Sequence, residues 1–192
     1  DIKPYSTKVD FSEDEKIIKA FHDVLNIKPT VVRQHIDSSF NYHDLMENLR
    51  NSYIAVKDTL DKIEILNNQI ALKQTYIQNF RYAKIEDLDV GVLLSLKYFD
   101  FSLMSLSREK YKKLKLNYEN IPSFVIHLGV FDDNDIIAAL TPKQFEEDAE
   151  RIFTSLNILK LDVPKGYTGS TTSIIKVLQQ EINEMRSEID EL

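Results

Sequence analysis

From Tyr42 to Phe80 apolar residues return every seven positions, at Tyr42, Leu49, Val56, Ile63, Ile70 and Ile77. The matching d places hold Leu45, Ser52, Thr59, Leu66, Lys73 and Phe80, so all six a sites and three of the six d sites are apolar. No Gly or Pro interrupts the run. A helix patterned this way packs along one narrow seam, with its polar d residues weakening the middle. A second register closes the chain at Ile175, Leu178, Ile182, Met185, Ile189 and Leu192, apolar at every place. Either stripe alone would stay wet, so the pattern predicts that the two helices fold back on each other as an antiparallel coiled-coil hairpin.

Between the two registers the period changes. Phe99, Phe101 and Leu103 alternate with Asp100 and Ser102 as a strand, and Ser107 to about Leu116 reads as a helix with Tyr111 and Leu114 inward. Phe124–Phe131 is an apolar strand, Asp132-Asp133-Asn134-Asp135 is turn chemistry, and Ile136–Leu140 is the next strand. Thr141 as N-cap, Pro142 at the first helical position and Gln144 three residues on predict a helix start. Phe145, Ala149, Ile152, Phe153 and Leu156 follow at helical spacing. Leu159, Leu161 and Val163 alternate with Lys160 and Asp162 as a last strand that Pro164 stops. The order strand, helix, strand, strand, helix, strand predicts a ferredoxin-like βαββαβ head, with helices on one face of a four-stranded sheet, at the tip of the hairpin. The predicted fold class is α+β.

Upstream, Ser12 and Glu15 have capping-box spacing, and Ile17, Ile18, Phe21, Val24 and Leu25 share a face, which predicts a short helix over 12–26 interrupted at Pro29. Residues 30–40 carry no clear pattern. The chain therefore divides into an N-terminal helical segment (1–40), a long helix and linker (41–96), an α/β lobe (97–164), and a return loop with a second helix (165–192). It begins at Asp1 without a Met and its last helix has no stop signal, so the pattern reads as a fragment of a longer protein. A second helix ending at Leu192 cannot reach back to Tyr42, Leu45 and Leu49, which then need residues 12–25 or a second copy of the chain; a homodimer would be an artefact of truncation.

Composition narrows the function. With 24 Lys+Arg against 31 Asp+Glu the formal charge is −7, which argues against binding nucleic acid through its phosphates. Only 4 Gly and 5 Pro in 192 residues favour long helices. Zero Cys removes disulfides, thiolate metal sites and a cysteine nucleophile. No apolar run reaches the roughly 18 residues of a membrane span.

Candidate chemistry is offered and mostly declined. His22, His35, His43 and His127 include no i, i+4 pair, so no metal site is expected. Asp132, Asp133 and Asp135 resemble the start of a calcium loop without its Gly and Glu, and a hairpin turn explains them better. Lys165-Gly166-Tyr167-Thr168-Gly169-Ser170-Thr171 precedes a helix but lacks both Walker and Rossmann spacing, leaving a return loop in which Thr171 or Thr172 caps the helix. No catalytic constellation and no cofactor site is expected. Arg108, Lys110, Lys112, Lys113 and Lys115 against Glu109 carry a charge of +4 in eight residues, and Glu146, Glu147, Asp148 and Glu150 cluster on the other head helix. Cross-helix pairing and a partner-docking patch both account for this.

Residues 134–192 resemble a known family. Strand 136–140, Thr141-Pro142-Lys143-Gln144-Phe145-Glu146-Glu147-Asp148-Ala149-Glu150-Arg151-Ile152, the strand to Val163-Pro164, Gly169 and the Glu-rich heptad helix are similar to subunit I of bacterial and archaeal V-type (A/V-type) rotary ATPases, counterpart of the eukaryotic subunit a. Upstream, the long helix, the strand from Tyr98 to Leu106 and Arg108-Glu109-Lys110-Tyr111 with Leu114 extend the likeness back to about Ile63. Met104-Ser105-Leu106-Ser107 stands where the family usually shows Gly-x-Leu/Ile-Pro.

The resemblance implies a non-catalytic stator on the cytoplasmic face of the cell membrane, part of a proton- or sodium-translocating rotary ATPase. In that family a helical hairpin carries a lobe at each end. The far lobe grips a peripheral stalk made of a helical heterodimer, and the near lobe leads into a membrane domain beside the rotor ring. Arg108, Lys112 and Lys115, together with Leu159 and Leu161 at an expected sheet edge, are the candidate stalk contacts. The competing reading is a ferredoxin-like regulatory module that binds a small ligand and relays its state through the coiled coil.

Overall fold

The computed structural model describes residues 11–28, 41–83 and 89–192. The expected break at Pro29 and part of the linker after the long helix lie outside these residues. Contacts group the chain into two compact units, Asp1–Ile65 with Leu192, and Leu66–Glu191.

In the first unit, helix α1 (Ser12–Leu25) meets the long helix α2 (Tyr42–Ala83) between Tyr42 and Tyr53. Asp14 receives the Tyr42 hydroxyl at 2.9 Å and the Arg50 guanidinium at 2.7 Å. Edge-to-face pairs Phe11–Tyr42 and Phe21–Tyr53 flank these bonds. The expected capping box is not made. Ser12 already lies inside the helix, and Phe11 holds the N-cap position without a side-chain cap.

The second unit is built on a four-stranded antiparallel sheet of order β2-β3-β1-β4. Its strands are β1 (Phe99–Ser107), β2 (Phe124–Phe131), β3 (Asn134–Pro142) and β4 (Leu159–Leu161). The helices are α3 (Val90–Leu94), α4 (Arg108–Leu116), α5 (Glu146–Ser155) and α6 (Thr171–Glu191). Alternation along β1 and β3 divides the core in two. Met104, Leu106, Ile137 and Ala139 point to Leu114 of α4 and to Ala149 and Phe153 of α5. Phe101, Leu103, Ile136 and Ala138 point the other way, into one cluster with Ile70, Ile77 and Phe80 of α2 and with Ile174, Leu178 and Ile182 of α6. The head therefore lays a whole sheet face on the two long helices as well as connecting them.

Three local expectations are corrected, each by longer-range pairing. The helix start at Thr141-Pro142 is the end of β3: Pro142 stands opposite Phe99, and the Thr141 hydroxyl is buried 2.7 Å from Ser123 Oγ. A 3-10 turn, Lys143–Phe145, follows, and α5 opens at Glu146 with Glu146, Glu147 and Asp148 in its first turn, where carboxylates suit the helix dipole. The ladder with nine-residue β1 outweighs the local capping preference. The acidic turn is only Asp132-Asp133, with φ of 48° and 62° as a two-residue primed hairpin requires, and Asn134 and Asp135 already belong to β3. The last strand stops at Leu161: the next carbonyl, that of Asp162, accepts the Asn79 side-chain amide at 2.8 Å, and Pro164 has no N–H to offer.

Candidate functional site

The basic residues lie on α4, whose buried Leu114 fixes its orientation on the sheet. Opposite Leu114, the residues Arg108, Lys112 and Leu116 follow at i, i+4 and i+8 and form an outward stripe, all three exposed. The acids of α5 do not neutralise it. Glu147 and Asp148 share Arg151 of their own helix at 3.5 and 3.8 Å, and Lys110 donates to the Asn157 carbonyl at 2.6 Å. Among the described residues no ion pair joins α4 to α5. Lys115 lies over the Tyr111 ring, 5.7 Å from its centre.

Tyr111 leads to a contact that the sequence did not suggest. Its ring stacks on His127 at 4.7 Å, and His127 Nε2 is 2.7 Å from Asp135 Oδ1. Burial and the nearby Asp135 charge raise the Tyr111 pKa. Asp135 Oδ2 is buried without a hydrogen-bond partner. Thus His127, an edge-strand imidazole, helps hold α4 on the sheet by its stack and its bond to β3. The register sets His127 opposite Ile137, two residues along β3 from Asp135, so the contact is diagonal and the spacing of eight gives no periodic signal.

Of the two expected edge-strand contacts, Leu159 is exposed, whereas Leu161 is buried among core residues. Leu161 can meet a partner through its main chain alone. Leu116, 86% exposed at the end of the basic stripe, was absent from the expected site. Its i+4 spacing from Lys112 could have found it.

The other candidate chemistry has structural explanations. Gly166 and Gly169 adopt positive φ in the return loop, and the Gly169 carbonyl accepts the Gly91 N–H at 3.3 Å. Ser170, rather than Thr171 or Thr172, caps α6, its Oγ accepting the Ser173 N–H at 3.3 Å. Among the described residues no three His, Asp or Glu side chains converge as metal ligands, and no helix is long and apolar enough to cross a membrane.

No family model matches the chain, and no curated protein matches it in sequence. The fold does have a solved counterpart: a crystal structure of the cytoplasmic N-terminal domain of subunit I, homolog of subunit a, of V-ATPase. The likeness has a TM-score of 0.60 at 9% identity, over 95% of this chain and 64% of that one. This chain thus spans just under two thirds of the length of that domain, and what they demonstrably share is a fold.

Proposed function

We propose that the chain is a cytoplasmic stator segment of a proton- or sodium-translocating V-type rotary ATPase, bracing the membrane sector against a peripheral stalk without catalysing a reaction itself. The observation that supports this most is the fold likeness to a subunit I cytoplasmic domain along nearly the whole chain. It coincides with the resemblance carried independently by residues 63–192. In this reading the α/β lobe is ferredoxin-like, and α2 and α6 are the two arms of an antiparallel coiled-coil hairpin. Lys73 of α2 meeting Glu181 of α6, with α2 and α6 packing Ile70, Ile77, Ile174, Leu178 and Ile182 into one cluster, supports the pairing of the arms. A hairpin whose seam merges with the core of the lobe can pass load between helices and sheet without a flexible joint, which suits a part that resists torque.

The full-length protein would join this region to a membrane domain beside the rotor ring. Arg108, Lys112 and Lys115 serve as the charged contacts to the stalk's helical heterodimer, with the β4 edge at Leu159 and Leu161 as a main-chain contact. The test is binding of the purified stalk pair to the intact chain. Reversing Arg108, Lys112 and Lys115 to Glu should weaken it at least about tenfold, or about 1.4 kcal/mol, more strongly at low salt. A stalk pair that does not bind the intact chain would overturn the reading.

A further inference from the structure

Exposed charge pairs contribute on the order of 1 kcal/mol or less each, so a charged stripe needs an apolar anchor to hold a partner. One lies just beyond α4. Two residues after Leu116 begins a shallow groove lined by Tyr118, Phe124 and Phe145 together with Ile121, Pro122, Ser123 and Pro142. Ile121 is buried, but Phe124 is 62% exposed, Tyr118 43% and Phe145 41%. Three aromatic rings lining a shallow apolar groove, at the end of a basic helix, have the anatomy of an interface core with a charged flank.

We propose that the Arg108–Lys112–Leu116 stripe and this groove form one docking surface for an acidic amphipathic helix, which lays its carboxylates along α4 and inserts a large apolar side chain between Tyr118, Phe124 and Phe145. The inference rests on the docking reading above and names the anchor that charge contacts alone lack. Complementarity of charge selects the occupant. Residues 108–115 carry +4, and the acids of α5 leave that charge unpaired. An anionic membrane fits less well: the chain as a whole carries −7, and a concave groove receives a protruding side chain, whereas membrane insertion needs apolar groups that protrude. Strand addition at β2 is partly blocked, since the Tyr118 hydroxyl accepts the Val125 N–H at 3.3 Å and the ladder is irregular between His127 and Gly129.

The experiment measures binding of the purified stalk pair to the intact chain and to its Leu116→Ala, Phe124→Ala and Phe145→Ala variants. Val177→Ala, an exposed apolar position on α6, serves as control. All four sites are exposed, and unchanged thermal unfolding verifies that the variants fold. Each groove or stripe variant should weaken binding at least about tenfold, with the control unchanged and with vesicles of phosphatidylserine and phosphatidylcholine failing to compete. If the stalk pair binds and responds to charge reversal but ignores the alanine variants, the anchor is wrong and the stator reading stands. Should the pair not bind at all, a synthetic acidic amphipathic helix with a central Leu is the second probe. Amide shifts confined to α4 and residues 118–124 and 142–145 would keep the surface while the stator reading falls. Shifts elsewhere, no shifts, or vesicle binding through the same residues would overturn the inference.

Discussion

Lys73 Nζ lies 2.7 Å from Glu181 Oε2, and the Tyr167 hydroxyl donates to that same oxygen at 2.7 Å while accepting from Lys73 at 3.1 Å. Three elements meet here: α2, the return loop and α6. Lys73 fills a d place in the heptad pattern, where an apolar residue would pack better, and a single polar seam position of this kind fixes register at some cost in stability. Its side chain is 16% exposed and that of Glu181 is 32%, so the pair is shielded without being fully desolvated.

Removing one partner should hurt more than removing both. Lys73→Met leaves Glu181 without its cation, and Glu181→Leu leaves Lys73 without its anion. Each is expected to lower the unfolding free energy by about 1–2 kcal/mol, whereas the double variant, which leaves neither charge without its counter-ion, should recover most of that loss. Urea unfolding of the four proteins measures the cycle. A double variant as weak as the sum of the singles would show that the three groups do not act as a unit.

The same triad predicts a response to acid. Burial pushes the Glu181 pKa up, but the hydrogen bonds from Lys73 and Tyr167, with the Lys73 charge, outweigh it and leave the pKa below its usual 4.5. A depressed carboxyl pKa contributes stability that is present above 4.5 and is lost as pH falls through the lower folded value. Burial pushes the Lys73 pKa down, and the bonds to Glu181 and Tyr167 more than reverse this, raising it above 10.5. That contribution is full below 10.5 and is lost only at higher pH. The stability gap between the parent and Glu181→Gln should therefore be flat from pH 6 to 8 and should shrink below about pH 4. A gap that changes through neutrality would contradict the assignment.

The elements most legible in the sequence were those whose pattern is local and long. The heptads over 42–80 and 175–192 marked the two long helices. The period-two run at 99–103 marked β1, the apolar run at 124–131 marked β2, and the helix over 107–116 marked α4 to within a residue. What failed was set by neighbours distant in sequence. Thr141 has every local feature of an N-cap, yet the β1 ladder claims it. The Asp162 carbonyl, next after β4, goes to Asn79, 83 residues away. In the candidate site the charges of Arg108, Lys112 and Lys115 could be read directly. The burial of Leu161, the exposure of Leu116 and the His127–Asp135 contact depend on strand order and register, which no single segment encodes.

The Thr141 correction can be tested by its buried hydroxyl. Ser123 and Thr141 bond each other at 2.7 Å, and both are buried. Thr141→Val keeps the shape but strands Ser123, with an expected loss of about 1–3 kcal/mol. Adding Ser123→Ala removes the stranded group and should restore part of the stability. If Thr141 instead capped a helix, Thr141→Ser would be neutral and Ser123→Ala would recover nothing.

Gly91 offers the sharpest test of how the return loop is seated. It lies in α3, its N–H donates to the Gly169 carbonyl, and a Cβ built on it would fall 2.6 Å from Thr168 Cα and 2.7 Å from Gly169 N. Both are backbone atoms, so no side-chain rotation can relieve the overlap, and either α3 or the loop must move. Gly91→Ala is expected to cost about 2–3 kcal/mol, at the upper end of the penalty for overpacking. Gly166, in the same loop, has φ of +85° and nothing within 4 Å of a built Cβ. Gly166→Ala should therefore show only the backbone penalty of a left-handed residue, about 1–2 kcal/mol. Chemical unfolding of the two variants separates steric from conformational cost, and crystallography of Gly91→Ala should show α3 displaced from residues 168–169. Because Val90, next to Gly91, is fully buried in the cluster shared with α2 and α6, that displacement should also loosen the seam. Amide exchange would then quicken along the first turns of α6 in Gly91→Ala and remain at the parental rate in Gly166→Ala. Equal stability of Gly91→Ala and the parent would mean that α3 does not rest against the loop.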